Sequence, residues 1–279
     1  MSFCGCNIQI FDEVASGGLV AGGSAKIIGP EISTGGCRLG GSSIVDNYYD
    51  VYDGYAAVWG LDESGNGTAG EFKDHSRNHL NGTGGSPPTC PSQGNGIDCL
   101  ACQDFAGRQF ISFPVDEIGP NGFTVMLWAN IASYFKQRTF FTRGFSTPTG
   151  DEWAFTFGHS FLNQVTASVN TPIGVWNATG PTRLMQNWWY LFAAVWQPNT
   201  SLSVYVNGVL DKTIAVPATM FTPTTGSYAS RFENGGYMEG SLQEIRLIPA
   251  VVDAANLTAI YQAYCGSLVT VGPEQQFPF

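Results

Sequence analysis

Cysteine and histidine side chains are the most reactive groups in the central part of the sequence. Cys99 and Cys102 form a Cys-x2-Cys pair, and Cys90 precedes them in a segment rich in glycine, proline and serine. Such a pair holds zinc only if further ligands are supplied, and His75 or His79 are the candidates. A disulfide that joins Cys90 to Cys99 or to Cys102 needs no further ligand. We therefore predict a disulfide here and keep zinc as the alternative.

The remaining four cysteines lie towards the two ends of the sequence. Cys4, Cys6 and Cys37 lie near the N-terminus, and Cys265 lies at the end of a predicted helix. Three cysteines in one short segment suit a disulfide-linked or tightly packed junction between subunits, and the alternative is small buried thiols. Because the total of seven is odd, at least one cysteine is unpaired or pairs between chains.

No residue pattern in the sequence indicates catalysis. His75 and His79 are four residues apart, but the residues around them predict a turn rather than a zinc-binding helix. Asp151 and Glu152 have the residue types of a glycosidase acid pair, yet adjacent strand residues point to opposite faces of a sheet. A nucleophile elbow and a phosphate-binding loop are also missing. We therefore predict a protein that is not an enzyme.

Composition and charge exclude two classes of partner. The 279 residues carry 12 basic and 22 acidic side chains, a net charge of −10, so a nucleic-acid surface is not expected. No stretch approaches the roughly 18 consecutive apolar residues of a membrane span, so membrane insertion is not expected either. The N-terminus lacks the pattern of a secretory signal peptide, whereas seven cysteines are typical of a protein that works outside cells. A virion protein that is made in a host cytoplasm and released by lysis satisfies both facts.

A repeat in the N-terminal part of the sequence predicts a separate segment. Residues 14–25 and 32–43 align at a spacing of 18, and both carry two Gly-Gly pairs between apolar residues. We expect each repeat to form two very short strands around glycine turns. Residues 1–54 are then an arm that docks onto other virion proteins or onto further copies of the chain, for example in a trimer. The alternative is a flexible glycine-rich leader.

The main part of the sequence predicts an all-β fold. From residue 55 onward, short alternating or apolar runs are separated by turn residues, and Asn207-Gly208 between two such runs predicts a tight hairpin. The longest apolar run, residues 188–196, predicts a central strand that is covered on both faces. Asp253 is positioned to cap a short helix that ends near Gly266, and residues 267–279 form a C-terminal tail. We expect a two-sheet antiparallel sandwich with one terminal helix.

Several motifs in residues 55–266 resemble those of one known family. The five motifs are Ala57-Val-Trp-Gly-Leu-Asp-Glu, Phe72-Lys-Asp-His-Ser-Arg-Asn-His-Leu-Asn-Gly, Phe123-Thr-Val-Met-Leu-Trp-Ala, Trp189-Tyr-Leu-Phe-Ala-Ala-Val-Trp with Leu202-Ser-Val-Tyr-Val-Asn-Gly, and Gly240-Ser-Leu-Gln-Glu-Ile-Arg-Leu. Together they resemble laminin-G-like, concanavalin A-type jelly-roll domains, and they occur in the order that such domains have. The resemblance implies a concanavalin A-like jelly roll. It leaves the function open, because this fold carries lectins, adhesion modules, structural proteins and some glycosidases.

The resemblance also implies a candidate calcium site. Relatives commonly hold calcium through carboxylates and backbone carbonyls near such positions, and Asp62, Asp74 and Glu244 are the candidate ligands in this sequence. This sequence has Gln243 where the family often has aspartate, which removes one ligand. The alternative is that Asp74 and Asn78 stabilise a turn through hydrogen bonds to the backbone.

Two functions follow from these observations. The first is a non-enzymatic virion structural protein, such as a decoration, fibre or tail-associated subunit, that docks through residues 1–54. The second is a lectin-like adhesin or bacterial surface module that binds glycans, and the two overlap if a virion protein binds host surface glycans. Aromatic side chains on loops are the residues expected to contact sugars, and Trp176 and Tyr228 are the two candidates.

Overall fold

Nineteen strands and one helix follow each other along the described residues. The computed structural model of this chain describes residues 14–15, 18–19, 54–97, 101–114, 121–133, 138–144, 146–147, 150–151, 153–223, 226–231 and 236–268. In chain order the elements are β1 (Val14–Ala15), β2 (Gly18–Leu19), β3 (Ala57–Trp59), β4 (Thr83–Gly84), β5 (Ser92–Asn95), β6 (Ala101–Ala106), β7 (Ile111–Phe113), β8 (Phe123–Ile131), β9 (Arg138–Arg143), β10 (Ser146–Thr147), β11 (Gly150–Asp151), β12 (Phe155–His159), β13 (Val165–Thr171), β14 (Gly174–Thr179), β15 (Trp189–Gln197), β16 (Ser201–Val206), β17 (Val209–Ala215), β18 (Ser227–Ala229), β19 (Glu239–Ile248) and α1 (Ala254–Leu268). No helix in these ranges is both long enough and apolar enough to cross a membrane.

Two antiparallel sheets form the body of the fold. One sheet has seven strands in the order β14-β13-β12-β9-β18-β7-β4. The other has eight strands, with the order β17-β16-β15-β8-β19-β6-β5 and with β3 paired to β19. The expected two-sheet jelly-roll sandwich with one C-terminal helix is therefore confirmed. Two further strand pairs, β1–β2 and β10–β11, stand apart from both sheets.

The core between the sheets is built largely from aromatic rings. Residue alternation explains this, since Phe155 and Phe157 on β12 face the core while Thr156 between them faces outward. The ring centroids of Trp59 and Phe113 are 3.9 Å apart in a stacked arrangement. Phe155 meets Phe123, on the opposite sheet, edge to face at 5.0 Å. Such pairs add to the free energy gained by burying the rings.

The outer faces of the two sheets differ in polarity. On the eight-stranded sheet, apolar side chains such as Met126 and Leu191 pack against Leu257, Ile260 and Tyr261 of α1. On the seven-stranded sheet, one row of paired residues crosses all seven strands with polar side chains. This row consists of Thr83, Ser112, Tyr228, Thr142, Thr156, Ser168 and Asn177.

Turn and cap signals in the sequence are confirmed at two places. Asn207 and Gly208 have positive φ angles of 52° and 76° and join β16 to β17 in a two-residue hairpin, as their residue types predict. Asp253 caps α1, because its carboxylate accepts a hydrogen bond of 2.8 Å from the Asn256 backbone N–H. The helix continues to Leu268, slightly beyond the predicted end.

Two glycine-rich parts of the chain contain short strands. In the first N-terminal repeat, Val14 pairs with Leu19 in a minimal hairpin of the predicted kind, while the second repeat lies outside the described residues. No strand was predicted in the cysteine-containing segment, yet Ser92–Asn95 forms strand β5 and pairs with β6 at the edge of the eight-stranded sheet. Backbone pairing at the sheet edge outweighs the low strand propensity of these residues.

Candidate functional site

The turn after β3 is held together by one buried carboxylate. Asp74 Oδ1 accepts hydrogen bonds from the backbone N–H groups of Val58 and Ser76, at 2.8 and 2.9 Å. Its Oδ2 accepts from Ser76 Oγ and from the Leu80 N–H, both at 2.8 Å. In the same turn, Asn78 Nδ2 donates to the Ala56 carbonyl. Asp74 therefore has a structural role, which is the alternative that the sequence left open.

The other two predicted calcium ligands lie in different environments. Glu244 sits at a β-bulge with a positive φ of 51° and forms a close ion pair with Arg246. Asp62 is exposed, and only its backbone carbonyl has a described hydrogen-bond donor, Gln93 Nε2. Calcium binding by Asp62, Asp74 and Glu244 stays a prediction, and the Asp74 carboxylate in it already accepts four hydrogen bonds. Asp62 instead lies with Glu63 and His75, whose ligand atoms are all within 4.8 Å of one another.

The described cysteines are thiols rather than half-cystines. Cys90 and Cys102 are not joined to each other, which corrects the predicted bridge between them. The Cys90 thiol lies 3.5 Å from Glu71 Oε1, and that of Cys102 lies 3.6 Å from Asp104 Oδ1. Burial, together with the nearby carboxylate, raises the pKa of Cys90 to about 11 and that of Cys102 to about 12. Both thiols are therefore protonated at neutral pH and are poor nucleophiles.

The side chains of the other five cysteines are not among those that the structure describes. Cys4, Cys6, Cys37 and Cys99 lie outside the described residues, so the junction predicted for the N-terminal cysteines stays a prediction. Cys265 lies within α1, and its side chain is not among those described.

The two aromatic residues predicted to bind sugars are partly buried, and each contacts other side chains of the fold. Trp176 on β14 packs against the core, and its Nε1–H points to Thr171 Oγ1 at 3.3 Å. Tyr228 on β18 lies outward in the polar row, but the Arg231 guanidinium sits over its ring at 5.2 Å. The edge of Phe110 also contacts Tyr228, with ring centroids 6.3 Å apart. Little of either ring surface is left for stacking against a ligand.

A group of exposed apolar side chains, not predicted from the sequence, lies at one end of the sandwich. Two loops meet there, the turn between β12 and β13 and the connection between β14 and β15. We call the group the end patch; its members are Phe161 (67% exposed), Leu162 (46%), Met185 (51%) and Trp188 (58%). Several large exposed apolar side chains on two adjoining loops of a folded domain are a candidate interaction site.

The end patch is held in place by hydrogen bonds between its two loops. The Leu184 N–H donates to the Asn163 carbonyl at 2.8 Å, and Arg183 Nη1 donates to the Leu162 carbonyl. The Met185 N–H donates to the Tyr190 hydroxyl at 3.0 Å. Leu184 itself is buried in the core. The exposed side chains therefore stand on an ordered backbone, which lowers the entropy lost when a ligand binds.

The loop that carries Trp188 also carries exposed polar side chains. Arg183, Gln186 and Asn187 are exposed on the same loop as Trp188. Their guanidinium and amide groups offer several hydrogen-bond donors and acceptors. The arrangement can bind a ligand that has an apolar face and polar edges.

The one buried histidine lies directly beside the end patch but is not available for acid–base chemistry. His159 packs against the Phe140 ring, and its Nδ1 lies 3.1 Å from the Ser160 carbonyl oxygen. Because a carbonyl only accepts hydrogen bonds, Nδ1 carries the proton of the neutral ring. Burial lowers the His159 pKa to about 4, and the positive charge of Arg138 contributes in the same direction. His159 is therefore neutral and structural at neutral pH.

Sequence comparison agrees with this architecture. A family profile described as the concanavalin A-like lectin/glucanases superfamily matches residues 105–258, which is more than half of the chain. The chain belongs to this superfamily. No curated protein matches it in sequence. The membership accounts for the two sheets and the strand order, but members differ in what they bind.

Similar solved structures share the fold at low sequence identity. Domain 4 of the extracellular arabinanase AbnA of Geobacillus stearothermophilus, solved with arabinotriose, has a TM-score of 0.59 and 13% identity and covers 75% of this chain and 98% of that domain. Trypanosoma rangeli sialidase with the inhibitor DANA has a TM-score of 0.53 and 13% identity, over 74% of this chain and 32% of the sialidase. A botulinum neurotoxin type C structure has a TM-score of 0.54 and 9% identity, over 77% of this chain and 52% of that chain. Its description names interaction with two ganglioside molecules.

Proposed function

We propose that this chain is a non-enzymatic, lectin-like module that binds carbohydrate through the end patch. The observation that carries the proposal is the exposure of Trp188 and Phe161 on two loops that hydrogen bond to each other. A tryptophan ring that is 58% exposed offers a large apolar face with a polar N–H, which is the kind of side chain that is enriched at interfaces.

The chemistry of the end patch matches that of a sugar. A pyranose or furanose ring has faces that present C–H groups and an edge that presents hydroxyls. The C–H groups stack on the electron-rich face of an aromatic ring such as Trp188. Arg183, Gln186 and Asn187 can exchange hydrogen bonds with the hydroxyls. Such a mixed surface is typical of small-molecule recognition.

The structural neighbours support a carbohydrate ligand. Their descriptions name an arabinan fragment for the arabinanase domain, gangliosides for the neurotoxin and a sialidase inhibitor for the sialidase. These three ligands are all saccharides or saccharide-like molecules. We transfer the class of ligand to this chain, and not any particular sugar.

A binding role, rather than glycoside cleavage, fits the chemistry of the end patch. Glycosidases place two carboxylates on either side of the scissile bond. The exposed polar residues of residues 183–187, the segment directly before Trp188, are Arg183, Gln186 and Asn187, which carry a guanidinium and two amides. Asp151 lies in the small β10–β11 hairpin and Glu152 lies outside the described residues. The neighbours include both binding domains and a sialidase, so an assay for sugar release from bound glycans is the matching control.

The test of carbohydrate binding is a glycan array probed with the full chain. We expect a small set of related glycans to bind, and the double variant Trp188→Ala with Phe161→Ala to lose that signal. Phe221→Ala is the matched control, because Phe221 is an exposed aromatic residue outside the end patch (42% exposed). A blank array, or equal binding by the double variant, would overturn the proposal.

We further propose that the module is displayed on a virion and docks through residues 1–54, as a homo-oligomer. The support is the predicted cysteine-rich arm with its two glycine repeats, together with the β1–β2 hairpin in the first repeat. Deletion of residues 1–50 should abolish incorporation into particles while glycan binding persists. Continued incorporation of the truncated chain would contradict the docking role and would leave the carbohydrate proposal untouched.

A further inference from the structure

Three metal-ligating side chains converge beside strand β3, remote in sequence from the end patch. Asp62 and Glu63 follow β3 after two intervening residues, and His75 belongs to the turn that Asp74 organises. The His75 N–H donates to the Val58 carbonyl at 2.8 Å, which ties the turn to β3. One ligand atom from each of Asp62, Glu63 and His75 lies within 4.8 Å of the other two.

A glycine provides the space into which these ligands point. A methyl group added at Gly60 would lie 3.2 Å from Asp62 Oδ1 and 3.4 Å from His75 Nε2. The carboxylate oxygen and the imidazole nitrogen therefore converge on the volume that Gly60 leaves open. The Gly60 carbonyl is occupied separately, because it accepts the Glu244 N–H at 3.0 Å.

Glu63 contributes an oxygen that lacks a protein donor. Its Oε1 accepts a hydrogen bond of 2.6 Å from the Lys73 N–H. Its Oε2 is buried, and among the described residues no group donates to it. A bound cation would stabilise this carboxylate directly.

We propose that Asp62, Glu63 and His75 form a binding site for a divalent transition-metal ion of the zinc class. One imidazole and two carboxylates suit zinc and its first-row neighbours, whereas calcium takes six to eight oxygen ligands. With metal–ligand bonds of about 2.1 Å, ligand atoms in a tetrahedral site are roughly 3.4 Å apart. Side-chain rotations that move the ligand atoms by about 1 Å would bring the three atoms to that separation. A fourth position stays open to water or to an oxygen of a ligand.

The direct test is zinc titration of the full chain after chelator treatment, followed by calorimetry. We expect one zinc ion to bind in addition to any held by cysteines, and His75→Ala and Glu63→Gln each to weaken that site at least tenfold. His79→Ala is the matched control, because His79 lies four residues away and is not part of the cluster. Equal zinc affinity in the wild type and His75→Ala would overturn the proposal, as would tighter binding of calcium than of zinc.

Cobalt(II) separates this site from the cysteines. Coordination by thiolates produces strong near-ultraviolet charge-transfer absorption, whereas coordination by imidazole and carboxylate does not. We expect a cobalt population without that absorption that is lost in His75→Ala, and its persistence in the variant would contradict the proposal.

A second variant keeps the test valid if removal of His75 disturbs the turn. Gly60→Ala places a methyl group between the ligands without altering any of them. We expect this variant to fold, as its unfolding temperature without metal will show, and to lose the rise in unfolding temperature that zinc gives the wild type. A zinc-dependent rise equal to that of the wild type would contradict the proposed position of the metal.

Discussion

The aromatic core and the end patch use the same residue types for opposite purposes. In the core, Phe155 and Trp59 are almost completely buried and contact other rings. In the end patch, Phe161 and Trp188 stand in solvent on loops that are fixed by hydrogen bonds. His159 and Phe161 show the contrast within three residues, since the first is buried beside Phe140 and the second is exposed. In this fold, residue type alone therefore does not distinguish an aromatic side chain that stabilises the core from one that is available to bind a ligand.

The largest expected effect lies in the core. Phe155→Ala removes a ring that is fully buried against Phe123 and should lower the free energy of unfolding by about 3–5 kcal/mol. Chemical denaturation of the variant and the wild type measures this difference. A loss below about 1 kcal/mol would mean that Phe155 does not belong to the core as described.

His159, which lies between the aromatic core and the end patch, should make the free energy of unfolding depend on pH. Its pKa is about 4 in the folded chain and about 6.5 when unfolded, so the unfolded chain binds the extra proton between these values. Its contribution is complete above pH 6.5 and is lost as the pH falls towards 4, by about 3 kcal/mol in total. The stability advantage of the wild type over His159→Gln should shrink over this range, whereas parallel pH profiles would contradict the burial of a neutral ring.

The end patch should contribute little to stability. Trp188→Ala and Phe161→Ser change exposed side chains whose loops are held by backbone groups, so each should alter the free energy of unfolding by no more than about 0.5 kcal/mol. Thermal and chemical unfolding measure this, with Phe155→Ala as the internal reference. A loss of several kcal/mol in either variant would place these rings in the core instead.

The core could be predicted from the sequence because its signals are local. Alternation around Phe155 and the Asn207-Gly208 turn each define an element within a few residues, and the family motifs fix the strand order. The cap at Asp253 is local in the same sense. These features made the sandwich and its helix predictable, while the glycine-rich strand β5 was missed because its pairing partner lies along the sheet edge.

The end patch was not predicted because the exposure of Trp188 depends on whether it lies within the strand or on the loop before it. Trp188 is the first residue of the longest apolar run and was included in the predicted central strand, but β15 starts at Trp189. The sequence signal that could have shown this is Asn187, because asparagine readily adopts a positive φ angle and so favours a loop directly before Trp188. In the structure the φ angle of Asn187 is 60°. Trp176 was predicted to lie on a loop, yet it alternates inward on β14 and packs against the core.

The most direct test of the account is the affinity of the end patch for its glycan. Calorimetric titration with the strongest glycan of the array should be made on the wild type, Trp188→Ala and Phe221→Ala. We predict that Trp188→Ala weakens binding at least tenfold, about 1.4 kcal/mol, at unchanged stability, while Phe221→Ala binds as the wild type does. Equal affinity in all three proteins would show that the exposed tryptophan is not the recognition site.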